Sequence, residues 1–234
     1  MPRLIAAIIR HGDYHQLADT PSALQPFPLT EKGFRQARDG ARAVLHKLKE
    51  EGWALATTID SSLQLRAWQT ADSMIQEINR AMPAAYTLDS HAVLAERFVG
   101  SAANLTHQQI ADVIRQDPRF DELPDNWKSD SYFRLPLQGA ESMMEAGKRV
   151  AEHLGQRMKS LRETITEDTL YLFVGHGASF RHAAYLLGIL EFEDIARLSM
   201  YHARPVFLEM SQEGSWSHID GEWKKRSTDS GYLD

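Results

Sequence analysis

The chain has no cysteine among its 234 residues. That absence excludes disulfides, thiolate zinc sites, iron–sulfur clusters and a cysteine nucleophile, and leaves the redox compartment open. Long apolar runs are missing too. The one near the start, Leu4–Ile9, is only six residues, far short of the roughly 20 that span a bilayer. One arginine at position 3 and no small-residue cleavage site argue against a secretory leader, so a soluble, cytoplasmic protein with no membrane partner is expected. Positive charge is in deficit, with 26 Lys and Arg against 32 Asp and Glu, a formal net charge of −6. A broad basic face for nucleic acid is therefore excluded. A few arginines converging against that acidic background still suit an anionic substrate.

What is present is ordinary globular composition, 43% hydrophobic and 25% charged, enough to bury a core without staples. Leu4–Ile9 is apolar throughout and reads as a strand covered on both faces, as in parallel sheets. Pro21, Pro26 and Pro28 keep residues 13–29 in a loop. Thr30 reads as an N-cap, and Phe34, Ala37, Ala41, Val44, Leu45 and Leu48 recur at helical spacing up to Gly52. Ala54–Asp60 reads as a second buried strand. Ser61 or Ser62 is expected to cap a helix running to about Ala81 and stopping before Pro83, and a short strand is expected at His91–Leu94. Residues 95–138 are irregular, with a short helix near Thr106–Gln116, and have the character of a substrate lid. Gly139 is expected to open a helix through about Leu161. Leu170–Val174 is a third strong strand, Ala178–Leu187 a helix, and Val206–Met210 and Ser215–Ile219 further strands. The tail from Lys224 is expected to be loose and solvated. The order of elements predicts an α/β fold, a three-layer sandwich on a mostly parallel central sheet with a lid insertion at about 95–138, as one domain over 1–234.

In such sheets ligands bind beyond the carboxyl ends of the strands. The three strong strands end there at Arg10-His11-Gly12, at Ser61-Ser62 with Arg66 one turn on, and at Gly175-His176-Gly177. Two arginines, two histidines and the backbone N–H groups of a glycine-bordered helix start would meet at one edge. Fixed positive charge and N–H donors are what a phosphoryl group requires. Each tripeptide alone has a bland reading as a turn or a solvated helix start; their joint placement favours function. Arg10 and Arg66 beside His11 should lower its pKa and keep the imidazole neutral.

Six segments in order carry a resemblance: Arg10-His11-Gly12, Leu29-Thr30-x-x-Gly33-x-x-Gln36-Ala37, Ser61-Ser62-Leu63-x-x-Arg66-Ala67-x-Gln69-Thr70-Ala71, Leu94-x-Glu96-Arg97-x-x-Gly100, Gly139-Ala140-Glu141-Ser142 and Gly175-His176-Gly177. The chain resembles the histidine phosphatase superfamily in its cofactor-dependent phosphoglycerate mutase-like branch. That resemblance implies His11 as a nucleophile forming a phosphohistidine, and Arg10, Arg66 and His176 as the phosphoryl clamp. It implies Glu96 as proton donor, its carboxyl kept protonated by burial under the lid. Gly177 at the helix start and Arg97 would add substrate contacts. Glu141 reads as a helix-capping carboxylate instead. No metal and no nucleotide enter such a mechanism, and the sequence has no P-loop Gly-Lys-Ser run and no carboxylate cage.

Two departures bear on the reaction. Mutases of this family carry an asparagine where this chain has Leu17, and a lysine about eleven residues past the acid, where it has Thr106-His107-Gln108. The Tyr14-His15 pair is similar to phosphatase branches, including protein phosphatases. A phosphomonoester hydrolase is expected, acting on a phosphorylated small molecule or phosphoprotein. A mutase and a non-catalytic phospholigand binder or scaffold are the alternatives. C-terminal edge strands offer a surface for a homodimer. His15 reads as a rim residue, His91, His107 and His182 as surface or packing residues, and Trp53, Met143 and Met144 as core.

Overall fold

A computed structural model describes residues 1–82 and 84–226. The chain runs β1 (Leu4–Arg10), α1 (Glu31–Glu51), β2 (Ala54–Leu55), β3 (Thr58–Ser62), α2 (Leu65–Ala81), β4 (Thr87–His91), α3 (His107–Gln116), α4 (Met143–Arg162), β5 (Thr169–Gly175), α5 (Gly177–Leu186), α6 (Phe192–Arg197), β6 (Leu198–Met200), β7 (Pro205–Met210), β8 (Trp216–Asp220) and β9 (Trp223–Lys225). Seven strands form one sheet in the order β4-β3-β5-β1-β7-β8, with β2 also on β5. The pairs β4–β3, β3–β5 and β5–β1 are parallel, while β7 and β8 are added antiparallel. This is the mostly parallel α/β architecture expected.

β1 and β5 are buried at every position because helices cover both faces. Strand alternation divides their side chains between two cores. Ile5, Ala7 and Ile9 face α1 and α2, meeting Ala41, Val44, Ala71 and Met74. Leu4, Ala6 and Ile8 face α4 and α5, meeting Val150, Leu154 and Phe180. Each buried Leu, Ile or Val adds about 1.5–3 kcal/mol. A third apolar cluster, including Val99, Ile110, Ile114, Trp127 and Leu135, stands apart from the sheet and knits the 95–140 segment together.

Several boundaries move. The expected strand Ala54–Asp60 is broken at Ala56-Thr57: β2 pairs with the start of β5, and β3 slots between β5 and β4. The strand expected at His91–Leu94 lies earlier, at Thr87–His91, and Ala92–Leu94 is a 3-10 turn. Ser61 and Ser62 stay in β3, and Gln64 is the N-cap of α2, with Ser62 Oγ accepting its backbone N–H at 3.2 Å. Gly139 does not open α4: it has a φ of +79°, which favours glycine, and the helix starts at Met143. Its cap is Ser142, in a reciprocal box with Glu145, and not Glu141. Lys224 and Lys225 are not loose; they lie in β9, paired to β6. Pro83 and the tail beyond Arg226 lie outside the described residues. Thr30 caps α1 as expected, accepting from Gly33 N–H at 3.1 Å. No helix among the described residues is long and apolar enough to cross a membrane.

Candidate active site

Arg10 and Gly175 are partners in the β1–β5 ladder, and the His11 N–H continues it to the Gly175 carbonyl at 2.9 Å. Adjacent strands thus deliver His11 and His176 side by side, with ring centroids 5.1 Å apart. β3, on the other side of β5, contributes Ser62 and leads into Arg66 on α2. His11, Arg66 and His176 are 3%, 0% and 0% exposed, with Arg10 at 7%.

The His11 ring is fixed by its contacts. Nδ1 lies 2.8 Å from the Gly12 carbonyl, which can only accept, so Nδ1 carries the proton. Nε2 is then the unprotonated nitrogen, and Arg66 Nε–H donates to it at 3.2 Å. Burial, then Arg66, His176 and Arg10, hold the imidazole well below its ordinary titration range, so burial outweighs the guanidinium repulsion anticipated from sequence. Burial and the cations Arg66, Arg149 and Arg10 do the same to His176. Its Nε2 meets Ser62 Oγ at 3.0 Å, while Nδ1 is buried and has no hydrogen-bond partner among the described residues. Arg10 Nη1 donates to the Met200 carbonyl at 3.2 Å. Arg66 also donates to the carbonyls of Gln25 at 3.0 Å, Ser22 at 2.7 Å and Ala23 at 3.0 Å, which draws the loop after β1 over the site.

Glu96 is 5% exposed, so the expected burial is there. Its carboxylate accepts from the backbone N–H groups of Arg97 at 2.9 Å, Ser179 at 3.2 Å and Ala178 at 3.3 Å. The start of α5 therefore holds Glu96 with two of the N–H groups expected to serve a phosphoryl oxygen. At that start, Gly177 allows the Arg10 side chain to pack close: a Cβ there would stand 3.3 Å from Arg10 Nε. Glu96 and Arg97 line a cavity of about 330 Å³ with Ser22, Lys128, Arg181 and His182.

A family profile for the histidine phosphatase superfamily (branch 1) matches residues 6–218. The chain belongs to the histidine phosphatase superfamily. Its fold is similar to a solved mycobacterial structure named hydrolase 2 (21% identity, TM-score 0.70, covering 98% of this chain and 94% of that one). A mycobacterial glucosyl-3-phosphoglycerate phosphatase is also similar (21% identity, TM-score 0.67, covering 97% and 99%). So is a phosphoglycerate mutase from Bacillus anthracis (16% identity, TM-score 0.70, covering 94% and 93%). No curated protein sequence matches the chain.

Within this superfamily member, several contributors escaped the sequence reading. Glu141 does not cap a helix: it accepts from Phe98 N–H at 2.9 Å and forms an ion pair with Arg149, which also donates to the Ala95 and Glu96 carbonyls at 2.8 and 3.0 Å. That pair anchors the backbone bearing Glu96. Gln64 does the same from below, its Oε1 accepting from Glu96 N–H at 3.2 Å and its amide reaching the Ala23 carbonyl. His202 adds a third ring, 5.6 Å from His11, with Nδ1–H donating to the His11 carbonyl at 2.8 Å. None of these carried a local signal: Gln64 and His202 act on partners 30 or more residues away, and Glu141 and Arg149, eight residues apart, hold backbone more than 40 residues distant. Ser62 had one, its place at a strand end.

His15 is exposed, as a rim residue should be. His107 and the fully buried His182 line the cavity, and Arg226, expected to be solvated, lines it too. Trp53 and Met143 are core residues, and Met144 is half-buried. His91 joins Asp60 and His153 in a group whose ligand-type atoms lie within 4.8 Å of one another. Arg157 already sits on it, donating to Asp60 Oδ2 at 2.9 Å and lying 3.1 Å from His91 Nε2, so the group is an ion-pair cluster. At His11 the two guanidiniums of Arg10 and Arg66 bring positive charge and no lone pair beside the imidazoles, which disfavours a divalent cation there.

Proposed function

We propose that the protein hydrolyses phosphomonoesters through a phosphohistidine formed on His11. The observation that carries this reading is the unprotonated Nε2 of His11, fixed by the Nδ1–H contact to Gly12 and met by the Arg66 guanidinium, with the buried His176 ring 5.1 Å away between centroids. In the first step Nε2 attacks phosphorus and the ester P–O bond breaks. Glu96, as the carboxylic acid, gives its proton to the leaving oxygen. In the second step the Glu96 carboxylate takes a proton from water, the oxygen attacks phosphorus, and the P–N bond breaks to restore His11. Arg10, Arg66 and His176 bind the three phosphoryl oxygens, turning their donors from His11 and neighbouring carbonyls to the charge that spreads in the transition state. Arg97 and the Gly177 start of α5 complete the substrate surface. No metal takes part, and activity should be unchanged in excess EDTA.

The superfamily fold alone does not choose between hydrolysis and transfer, since similar structures carry names of both kinds. Hydrolysis is favoured by Leu17, an exposed apolar side chain where mutases have asparagine, and by His107 on the cavity wall where they have lysine. The substrate would be a phosphorylated small molecule or a phosphoprotein. The test is phosphate release from an aryl phosphate beside isomerisation of 3-phosphoglycerate, with His11→Ala as control. The expected result is release by the wild type and none by the variant; efficient isomerisation with negligible release would overturn the hydrolase reading.

A further inference from the structure

Tyr14 lies three residues past the nucleophile. Its backbone is held by a bridge to Leu29, and the next N–H, of His15, donates to the Pro28 carbonyl at 3.1 Å. The ring is in edge contact with His11, with centroids 5.2 Å apart at 89°. The Arg66 guanidinium lies over the ring face, 4.6 Å from its centroid. The residue is 7% exposed, and its hydroxyl is buried with no hydrogen-bond partner among the described residues. Ser22 stands beside it without completing a bond, and Arg66, Arg10 and Glu96 all act electrostatically on it.

A stranded, buried hydroxyl costs about 1–3 kcal/mol and calls for an explanation. Packing does not supply one. A phenylalanine would make the same edge contact with His11 and the same cation–π contact with Arg66, and would strand nothing. The ring touches the nucleophile, and its buried hydroxyl lies within electrostatic reach of Arg66, Arg10 and Glu96. From that geometry we infer that Tyr14 is a further catalytic residue, whose O–H donates a hydrogen bond to an oxygen of the transferred phosphoryl group. Burial, against the pull of Arg66 and Arg10, raises the phenol above its ordinary range, so the O–H keeps its proton throughout neutral pH. The inference rests on the proposed phosphoryl-transfer reading of the same site.

The test is Tyr14→Phe, which keeps the ring and removes only the donor. Loss of one preorganised donor should lower kcat/KM on the order of 100-fold or more. The loss should be equal for an aryl and an alkyl phosphate, because the phosphoryl group is common to both. The melting temperature should not fall. Orthovanadate affinity, measured by calorimetry without turnover, should weaken at least about tenfold, the scale of one hydrogen bond. Activity and orthovanadate affinity within a few-fold of wild type would overturn the inference and leave the phosphatase reading intact, provided His11→Ala is inactive. A loss confined to one leaving group would also overturn it, since Tyr14 would then touch the leaving group. A wild type without turnover on any phosphomonoester would defeat the proposed function, and the orthovanadate comparison would still decide Tyr14. Absence of orthovanadate binding by the wild type would overturn both.

Discussion

Three imidazoles crowd the end of β1, and burial holds each of them neutral. His11 and His176 are pushed well below their ordinary value of 6.5, and His202 is pushed to about 4 by burial and then by Arg10. In the unfolded chain all three take up protons near pH 6.5; in the fold they resist. The unfolded state then binds more protons as pH falls, so this part of the stability is complete above about pH 6.5 and drains away toward about pH 4. For His202 alone, the drop from 6.5 to about 4 corresponds to on the order of 3 kcal/mol. Asp60 works in a lower window. Burial opposes its ionisation, but hydrogen bonds from His153, Tyr171 and Arg157 prevail and hold it below 3.8, so its contribution goes only at more acid pH. Urea midpoints measured at about pH 7.5 and about pH 5 should therefore fall on acidification, and His202→Asn should narrow the gap. Equal midpoints for the wild type would contradict the account. At this scale the sequence exposed Arg10, His11, Arg66, Glu96 and His176, because each lies at or just past a strand end or in a motif with fixed spacing. Arg149, Gln64 and His202 stayed hidden, because their partners are set by tertiary contact.

Elements were most legible where burial was strongest. β1 and β5 stood out as apolar runs, and α1 declared itself through Thr30 and its periodic face. The misplaced boundaries fall where local chemistry competes. Ser61 and Ser62 are good caps by type, but pairing of β3 with β4 keeps them in the sheet. Gly139 is a turn glycine three residues ahead of the true cap, Ser142. The short pieces α6, β6 and β9 lie below the length at which periodicity can be read. One element contact invites a direct test. The first turn of α1 presses on the loop leaving β1, and a Cβ on Gly33 would fall 2.0 Å from the Asp13 carbonyl. Gly33→Ala should destabilise by about 1–3 kcal/mol through overpacking, and should also lower activity, because that loop carries His11. Gly155, inside α4, has open space around its Cβ position. Gly155→Ala should stabilise by up to about 1 kcal/mol through helix propensity. Thermal melts of the pair check both signs.

Over the whole molecule, charge is unevenly placed. The chain carries a formal net charge of −6, yet the cavity beside Glu96 is bordered by Arg97, Lys128, Arg181 and Arg226. On the proposed reading, a phosphorylated substrate would approach an acidic body and be drawn only close to that mouth. Raising salt from roughly 0.01 M to 0.15 M shortens the screening length from about 30 Å to about 8 Å. KM should rise over that range while kcat holds, and steady-state assays across ionic strength read it directly. The three-layer plan was visible from the order of elements, whereas the separate apolar cluster under the 95–140 segment was not, its members being scattered between prolines and charges. The division has a consequence for change over time or by design. Arg10 and Gly175 are rungs of one hydrogen-bonded ladder, so the interval between the two imidazoles is inherited from strand registry. Part of the cavity wall, including Arg97, His107 and Lys128, comes instead from the 95–140 segment. Side chains of that segment can be exchanged while the strand ruler that spaces the His11 and His176 rings stays as it is.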